Sequence, residues 1–490
     1  MRLVVAVDGE LLLDERRESG AGTPALNWHV LPLPPAGRAG AEITFAVEGP
    51  PVLGCFVAPL IGPAAVGRRG ARPWPEERPP RRNAGLFVAD TLRADCLGAY
   101  GGEPGLTPHL DRLAEESLVF LRAWSTAPWT LPAHASLFTG LYPPHHGVTR
   151  PETRRLAEAG WRTVAVTERG FVSHRYGLDA GFEVWDEARG ELDETLARLL
   201  ALLDEDDGRP VFAFVQTYRV HAPYACSPEV RAARGVQRDF DGLAERLARR
   251  GLDWRGTRPV PRELVDEVRA LGELYRGAVA ELDAAVPDLL AALAERGLDE
   301  RAWLAFTSDH GEEFAEHGHL GHGSGLWEEQ LRVPLLLRGP GLAPGRRRDP
   351  ASLVDLAPTL LAALGLERGP TESRWAGRSL LEDPGERGVF AYQCDRLGGE
   401  SPAAWIGEGR KLLVGHGEEA LSARPAAAYD LERDAAERDD RAAAGEPWVE
   451  ELWERLRPEA AATLRRRIEA ADRAGAGHAA DLMDLGYTDR

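Results

Sequence analysis

Two short apolar runs of this sequence, LFVAD (86–90) and WLAFTSD (303–309), end in aspartate, and His310 follows the second. A carboxylate buried at the end of a strand is costly unless it is paired or bound to a cation. Carboxylate oxygens and an imidazole nitrogen on one loop edge suit a hard or borderline divalent metal. One aspartate in such a place is better explained as the cap of the next helix. Two of them with a histidine favour a metal held by Asp90, Asp309 and His310.

A hydroxyl and several imidazoles complete the reactive set. In WTLPAHASLFTG (129–140), proline near the start and glycine at the end frame a short helix. Thr130 then sits at or just before the helix N-terminus, where backbone N–H groups and the helix dipole favour anions. Such a hydroxyl can attack a bound phosphoryl or sulfuryl group if a metal lowers its pKa. Taken alone, the segment is explained as well by an ordinary N-cap. Four of the thirteen histidines, His310, His317, His319 and His322, crowd into FTSDHGEEFAEHGHLGHG (306–323). The glycines between them deny a regular helix, so the segment is expected to form a loop over the site. His221 follows the run VFAFVQTY (211–218). Imidazoles so placed can bind ester oxygens or protonate a leaving group. His317 and His319 are read as surface-loop residues.

These groups need a scaffold that gathers strand ends. Apolar runs at 86–90, 163–167, 211–218, 303–309 and 333–339 alternate with amphipathic segments such as HLDRLAEESLVF (109–120) and ELDETLARLLALL (191–203). Apolar runs without internal alternation, separated by helices, predict an α/β fold whose parallel sheet is buried on both faces. Ligands bind beyond the carboxyl ends of such strands. The strands shorten from about residue 370, giving a smaller α+β C-terminal subdomain (371–490) with a helix predicted over 448–474. Residues 1–75 form a small β-rich N-terminal unit, since AEITFAVEG (41–49) alternates apolar and polar side chains. PWPEERPPRR (73–82) reads as the linker to the catalytic part, 84–370.

Composition narrows the partners. With 490 residues, 43% apolar and 28% charged, the chain is globular. A formal net charge of -19 repels nucleic acid and anionic lipid at long range. Cys55, Cys96, Cys226 and Cys394 lie far apart with no CxxC pair, which excludes a zinc ribbon or a disulfide framework. No run approaches the roughly 20 apolar residues of a membrane span, and charge interrupts the first residues too early for a secretory leader. The expectation is a cytoplasmic protein.

Several long segments together resemble the sulfatase branch of the alkaline phosphatase superfamily. They are ADTLRADCLGAYG (89–101), APWTLPAHASLFTGLYPPHHGV (127–148), FTSDHGEEFAEHGHLGHG (306–323), EEQLRVPLLLRGPG (328–341), VDLAPTLLAALGL (354–366) and AYDLERDAAER (428–438). The terminal LMDLGY (482–487) is similar to how many such proteins end. The resemblance implies a doubly wound, mostly parallel sheet with a smaller C-terminal subdomain, and a divalent metal beside a covalent nucleophile. It gives Asp90 and Asp309 as metal aspartates. His310 stands where related phosphoesterases have histidine and true sulfatases often have asparagine. His221 matches the substrate-contacting histidine of an HxP motif. His322 falls where sulfatases place Lys or His near the transferred group.

Two departures from that pattern carry weight. A formylglycine sulfatase needs Cys or Ser in C/S-x-P-x-R, whereas this chain has Thr130-Leu131-Pro132-Ala133-His134. T-x-P-x-H is more similar to the nucleophile segment of nucleotide pyrophosphatases/phosphodiesterases. The sulfatase Asp-Asp pair is here Asp90-Thr91, and Arg219 replaces an aspartate that two-metal relatives carry before the HxP histidine. One divalent ion is therefore expected, manganese or zinc ahead of calcium, with Asp90, Thr130, Asp309 and His310 as ligands. Thr130, His221 and His322 are the expected catalytic groups, and His134, His221 and His322 the expected substrate contacts. The reaction expected is hydrolysis of a phosphoric ester, monoester or diester, of a small molecule, saccharide or lipid, through a covalent Thr130 intermediate. Two alternatives stay open: a sulfuric ester hydrolase working without formylglycine, and a catalytically silent binding protein that keeps the fold.

Overall fold

The computed structural model describes residues 2–7, 10–16 and 43–48. From 82 to 456 it describes all but 144–152, 189–191, 237–246, 248–249, 251–257, 297, 299–300, 367–375, 383–386, 394–402 and 415–424. Most of the linker at 73–82, the helix expected beyond 456 and LMDLGY (482–487) lie outside these residues. The chain divides into two compact units, one carrying residues 1–78 and the other residues 79–471. In the first, β1 (Arg2–Val7), β2 (Glu10–Arg16) and β3 (Ile43–Glu48) form an antiparallel sheet with β1 in the middle. The alternating run at 41–49 supplies its third strand.

The second unit is built on an eight-stranded sheet. Five strands run parallel in the order β10 (Trp303–Thr307), β4 (Ala84–Ala89), β9 (Val211–Thr217), β7 (Arg162–Thr167) and β8 (Val184–Glu187). Beyond β10 come β13 (Leu335–Arg338), β5 (Leu118–Phe120) and β14 (Gly345–Arg347). The apolar run at 333–339 forms β13, which pairs antiparallel with β10. The 308–334 connection holds a single helical turn, Glu328–Leu331, so it lacks the crossover helix that a parallel return needs.

Both faces of the sheet are covered, which is why its strands need no polar face. On one side α1 (Pro108–Glu115), α4 (Leu192–Asp204) and the long helix Val265–Glu295 bury Leu110, Leu199, Leu274 and Val279. On the other, α2 (Thr130–Thr139), α3 (Thr153–Glu158) and the helix Leu356–Ala363 bury Leu137, Phe138, Leu156 and Leu360. This is the doubly wound arrangement. β16 (Val389–Tyr392), β17 (Ala403–Gly407), β18 (Arg410–Val414) and β19 (Ala427–Asp430) form a separate antiparallel sheet. Val449, Leu452 and Leu456, from a helix that starts at Pro447, pack on its Trp405, Leu412 and Ala428, giving the smaller α+β part. No helix among the described residues is long and apolar enough to cross a membrane.

Candidate active site

The carboxyl ends of β4, β9 and β10 meet at one point, and the chain turns sharply there. Thr91 has φ of 61°, a left-handed conformation that is strained for a β-branched residue. Its neighbours hold it. Thr91 N donates to Asp309 Oδ1 (3.2 Å), and its hydroxyl donates to the Val220 carbonyl (3.2 Å). The Tyr275 hydroxyl donates to the Thr91 carbonyl (2.8 Å) and accepts from Arg93 N (2.9 Å). Leu92 N donates to Ser308 Oγ (2.8 Å). The turn after β4 is thereby fastened to β10, to the 217–221 turn after β9 and to the long helix.

This fastening delivers Asp90 and Asp309 to one another, both with no solvent exposure. Asp309 Oδ1 accepts from Thr91 N and from His310 N (2.9 Å). Asp309 Oδ2 and both Asp90 carboxylate oxygens have no hydrogen-bond partner. Leaving such buried acceptors unpaired costs about 1–3 kcal/mol apiece, more when charged. Asp309 Oδ2 lies 3.4 Å from His134 Nδ1 and 3.4 Å from His310 Nε2, and His310 Nε2 lies 3.8 Å from Asp90 Oδ1 and 3.3 Å from Thr130 Oγ1.

The imidazoles are oriented by backbone carbonyls. His310 Nδ1 donates to Gly311 O (2.9 Å), so Nε2 carries the lone pair. His134 Nδ1 donates to Thr130 O (3.0 Å), one turn back along α2, and its Nε2 has no partner. Ligand atoms of Asp90, His134 and Asp309 lie within 4.8 Å of one another. Burial and the charge of Asp309 push the Asp90 carboxyl well above the usual range. Burial also raises Asp309, but the facing His310 and His134 outweigh it and hold that carboxyl low. Burial lowers His310 to about 4, leaving a neutral imidazole near pH 7. Two buried carboxyls with orphaned oxygens beside the lone pair of His310 Nε2 fit a divalent cation.

Thr130 is the first residue of α2, with Trp129 as N-cap and Gly140 closing the helix in the left-handed region at φ 65°. Pro132 contributes no N–H to this end. Phe138 anchors the helix on the sheet, 4.8 Å from Phe214 of β9 between ring centres. Opposite stand His221 and His322. His221 Nδ1 donates to Ala222 O (2.6 Å), and its Nε2 has no partner. Burial, with His322 beside it, lowers His221 to about 4. The His322 ring is 5.1 Å from that of His221 and 4.5 Å from that of His310.

All seven residues expected from the sequence, Asp90, Thr130, His134, His221, Asp309, His310 and His322, thus come to one site. His134, expected at the substrate, lies on the carboxylate side, packed with Asp90 and Asp309. Arg93 does not pair with the site carboxylates; it holds Asp95 (2.7 Å) and Glu316 (2.6 Å). Arg219 pairs with Glu281 on the long helix. His317 stacks on Trp327 at 4.0 Å and pairs with Glu329 (2.6 Å). Two residues went unnoticed in the sequence. Gln216 of β9 faces the Asp90 carboxyl. Glu312 is fully buried against His322. Neither carries a sequence signal, because a glutamine ending a strand and a glutamate in an acidic loop are both common.

A family model described as Sulfatase matches residues 82–366. The chain is 25% identical over 403 residues to the uncharacterized sulfatase YidJ of Escherichia coli, covering 67% of this chain and 78% of that protein. Among solved structures, it resembles the phosphonate monoester hydrolase of Agrobacterium radiobacter, with TM-score 0.61, 21% identity, and 80% of this chain and 96% of the other covered. It also resembles a protein solved in complex with its substrate D-glucosamine-2-N,6-O-disulfate, with TM-score 0.60, 17% identity, and 79% and 98% covered.

Proposed function

The chain belongs to the sulfatase family and is an ester hydrolase, and we propose that it cleaves a phosphoric ester through attack by Thr130. The observation that carries this reading is the Thr130 hydroxyl at the start of α2, 3.3 Å from His310 Nε2 and beside the orphaned oxygens of Asp90 and Asp309. Asp90, Asp309, His310 and Thr130 would hold one divalent ion, with His134 Nε2 as a further donor. Mixed oxygen and nitrogen donors favour manganese or zinc over calcium. The ion would supply positive charge that lowers the pKa of the Thr130 hydroxyl and neutralises an ester oxygen.

The chain's own groups do the rest. Thr130 Oγ, its proton gone to solvent, attacks phosphorus in line with the leaving oxygen. The start of α2 stabilises the charge that develops. His221 or His322 protonates the leaving oxygen as the P–O bond breaks. Water then attacks the phosphothreonine and frees Thr130. The substrate is a small-molecule or saccharide ester.

A sulfuric ester is the second reading, favoured by the family match and by the relative solved with a disulfated glucosamine. Threonine has one oxygen, so it lacks the geminal hydroxyls by which formylglycine expels sulfate. Rates on matched aryl phosphate, phosphonate and sulfate esters, for the parent and Thr130→Ala, separate the readings. Faster phosphate turnover that Thr130→Ala abolishes is expected. Phosphate turnover that survives Thr130→Ala overturns the nucleophile, and faster sulfate turnover replaces the substrate class.

A further inference from the structure

The loop over the site contains a very small hairpin, β11 (Glu313–Phe314) and β12 (Leu320–Gly321), with Glu313 opposite Gly321 and Phe314 opposite Leu320. Extending that register by one pair sets Glu312 opposite His322, and the side chains meet: His322 Nδ1 lies 2.9 Å from Glu312 Oε1. Backbone bonds fix the hairpin's base. Gly311 N donates to Gln330 O (2.8 Å) and Glu312 N to Glu329 O (2.8 Å). The Gln330 amide donates to Glu313 Oε2 (2.8 Å), and its oxygen accepts from Gly323 N (3.0 Å). Glu312 has no solvent exposure and His322 is 3% exposed. A carboxyl kept out of water in a loop that is otherwise charged and polar needs a reason.

We propose that Glu312 is a positioning residue for ester hydrolysis: it accepts the Nδ1 proton of His322, so that Nε2 is the nitrogen presented to the leaving oxygen. The proposal rests on the hydrolase reading and sharpens it, because it chooses between the two candidate proton donors. Nδ1 of His221 is held by the backbone carbonyl of the next residue, whereas Nδ1 of His322 is held by a carboxyl from across a hairpin. A carboxyl partner fixes both ring orientation and tautomer. As the Thr130 Oγ–P bond forms and the P–O bond to the leaving group breaks, His322, an imidazolium with Glu312 as its counter-charge, passes its Nε2 proton to the leaving oxygen, which departs as an alcohol, and keeps its Nδ1 proton toward Glu312. In the second half, the attacking water gives a proton back to Nε2 while its oxygen displaces Thr130 from phosphorus.

The test uses the full chain with Glu312→Ala, the near-isosteric Glu312→Gln, His322→Ala and the double variant Glu312→Ala/His322→Ala. Proton NMR of the metal-free protein reads the pairing without any substrate. A downfield imidazole N–H line is expected in the parent and in Glu312→Gln, which keeps an acceptor, and is lost in Glu312→Ala and His322→Ala. On alkyl phosphates, whose leaving groups need a proton, Glu312→Ala slows the single-turnover phosphorylation of Thr130 by about 10- to 100-fold. On nitrophenyl phosphate it slows that step by less than about threefold, the substrate concentration giving half the maximal rate changes little on either ester, and Glu312→Gln restores most of the loss. In the His322→Ala background, Glu312→Ala has no further effect. A line that survives Glu312→Ala, or an equal loss for good and poor leaving groups, or an undiminished loss without His322, overturns the proposal. Should the parent hydrolyse no ester at all, the hydrolase reading falls, and the NMR line still decides whether Glu312 sets the His322 tautomer.

Discussion

Removing one charge from the buried carboxyl pair should leave the metal-free protein standing and abolish its response to metal. Asp309→Asn keeps an oxygen in the place of Oδ1, which accepts from Thr91 N and His310 N. The loss there is the difference between charged and neutral hydrogen bonds, about 1 kcal/mol. Against it stands the relief of Asp90, whose carboxyl no longer faces a buried anion. The two changes nearly cancel, so the metal-free variant should match the parent to within about 1 kcal/mol. The response to metal should differ. At 100 times Kd a bound ion stabilises the parent by about 2.7 kcal/mol. For the unit of about 390 residues spanning 79–471, unfolding entropy near 2.1 cal/mol/K per residue converts that to about 3 °C in Tm. Calorimetric scans after dialysis against chelator, with manganese or zinc titrated back, should show this rise in the parent and none in Asp309→Asn. An equal rise in both proteins, or a metal-free variant weaker by several kcal/mol, would refute the reasoning.

Further predictions follow from the same contacts. A Cβ at Gly311 would come within 2.1 Å of the Glu329 carbonyl oxygen, so Gly311→Ala must displace the carbonyl that orients His310. Metal affinity is expected to fall by about 10- to 100-fold in equilibrium dialysis, with an unchanged Kd as the contrary result. Tyr275→Phe removes the donor to Thr91 O and the acceptor of Arg93 N. It should cost about 1–3 kcal/mol in denaturant unfolding, and a loss below about 0.5 kcal/mol would contradict the bracing of the strained turn. Lys411 is fully buried, 2.7 Å from Glu437 and 3.3 Å from Glu328. Lys411→Met strands Glu437 and should cost about 3–5 kcal/mol; unfolding curves that superimpose on the parent's would contradict this.

The parallel core was legible because buried strands advertise themselves as unbroken apolar runs. The runs ending at Asp90 and Asp309 became adjacent strands with both aspartates at one edge. Thr130 was placed by helix punctuation, with Gly140 closing the helix as expected. Strand direction was harder. The run at 333–339 looks like the others, and only the missing crossover helix shows that β13 must return antiparallel. His134 lies one helical turn beyond Thr130, and its closeness to Asp90 and Asp309 depends on how α2 docks, which spacing along the chain does not encode. Glu312 was hidden more thoroughly. Its role depends on a hairpin with two residues in each strand, too short for any periodicity to register.

The most direct test of the account is a rapid quench of the enzyme with a phosphate ester, followed by peptide mapping of the α2 segment. The account predicts one phosphoryl group on Thr130, formed in a burst and absent in Thr130→Ala. Steady turnover of the same ester with no covalent adduct on Thr130 would contradict it.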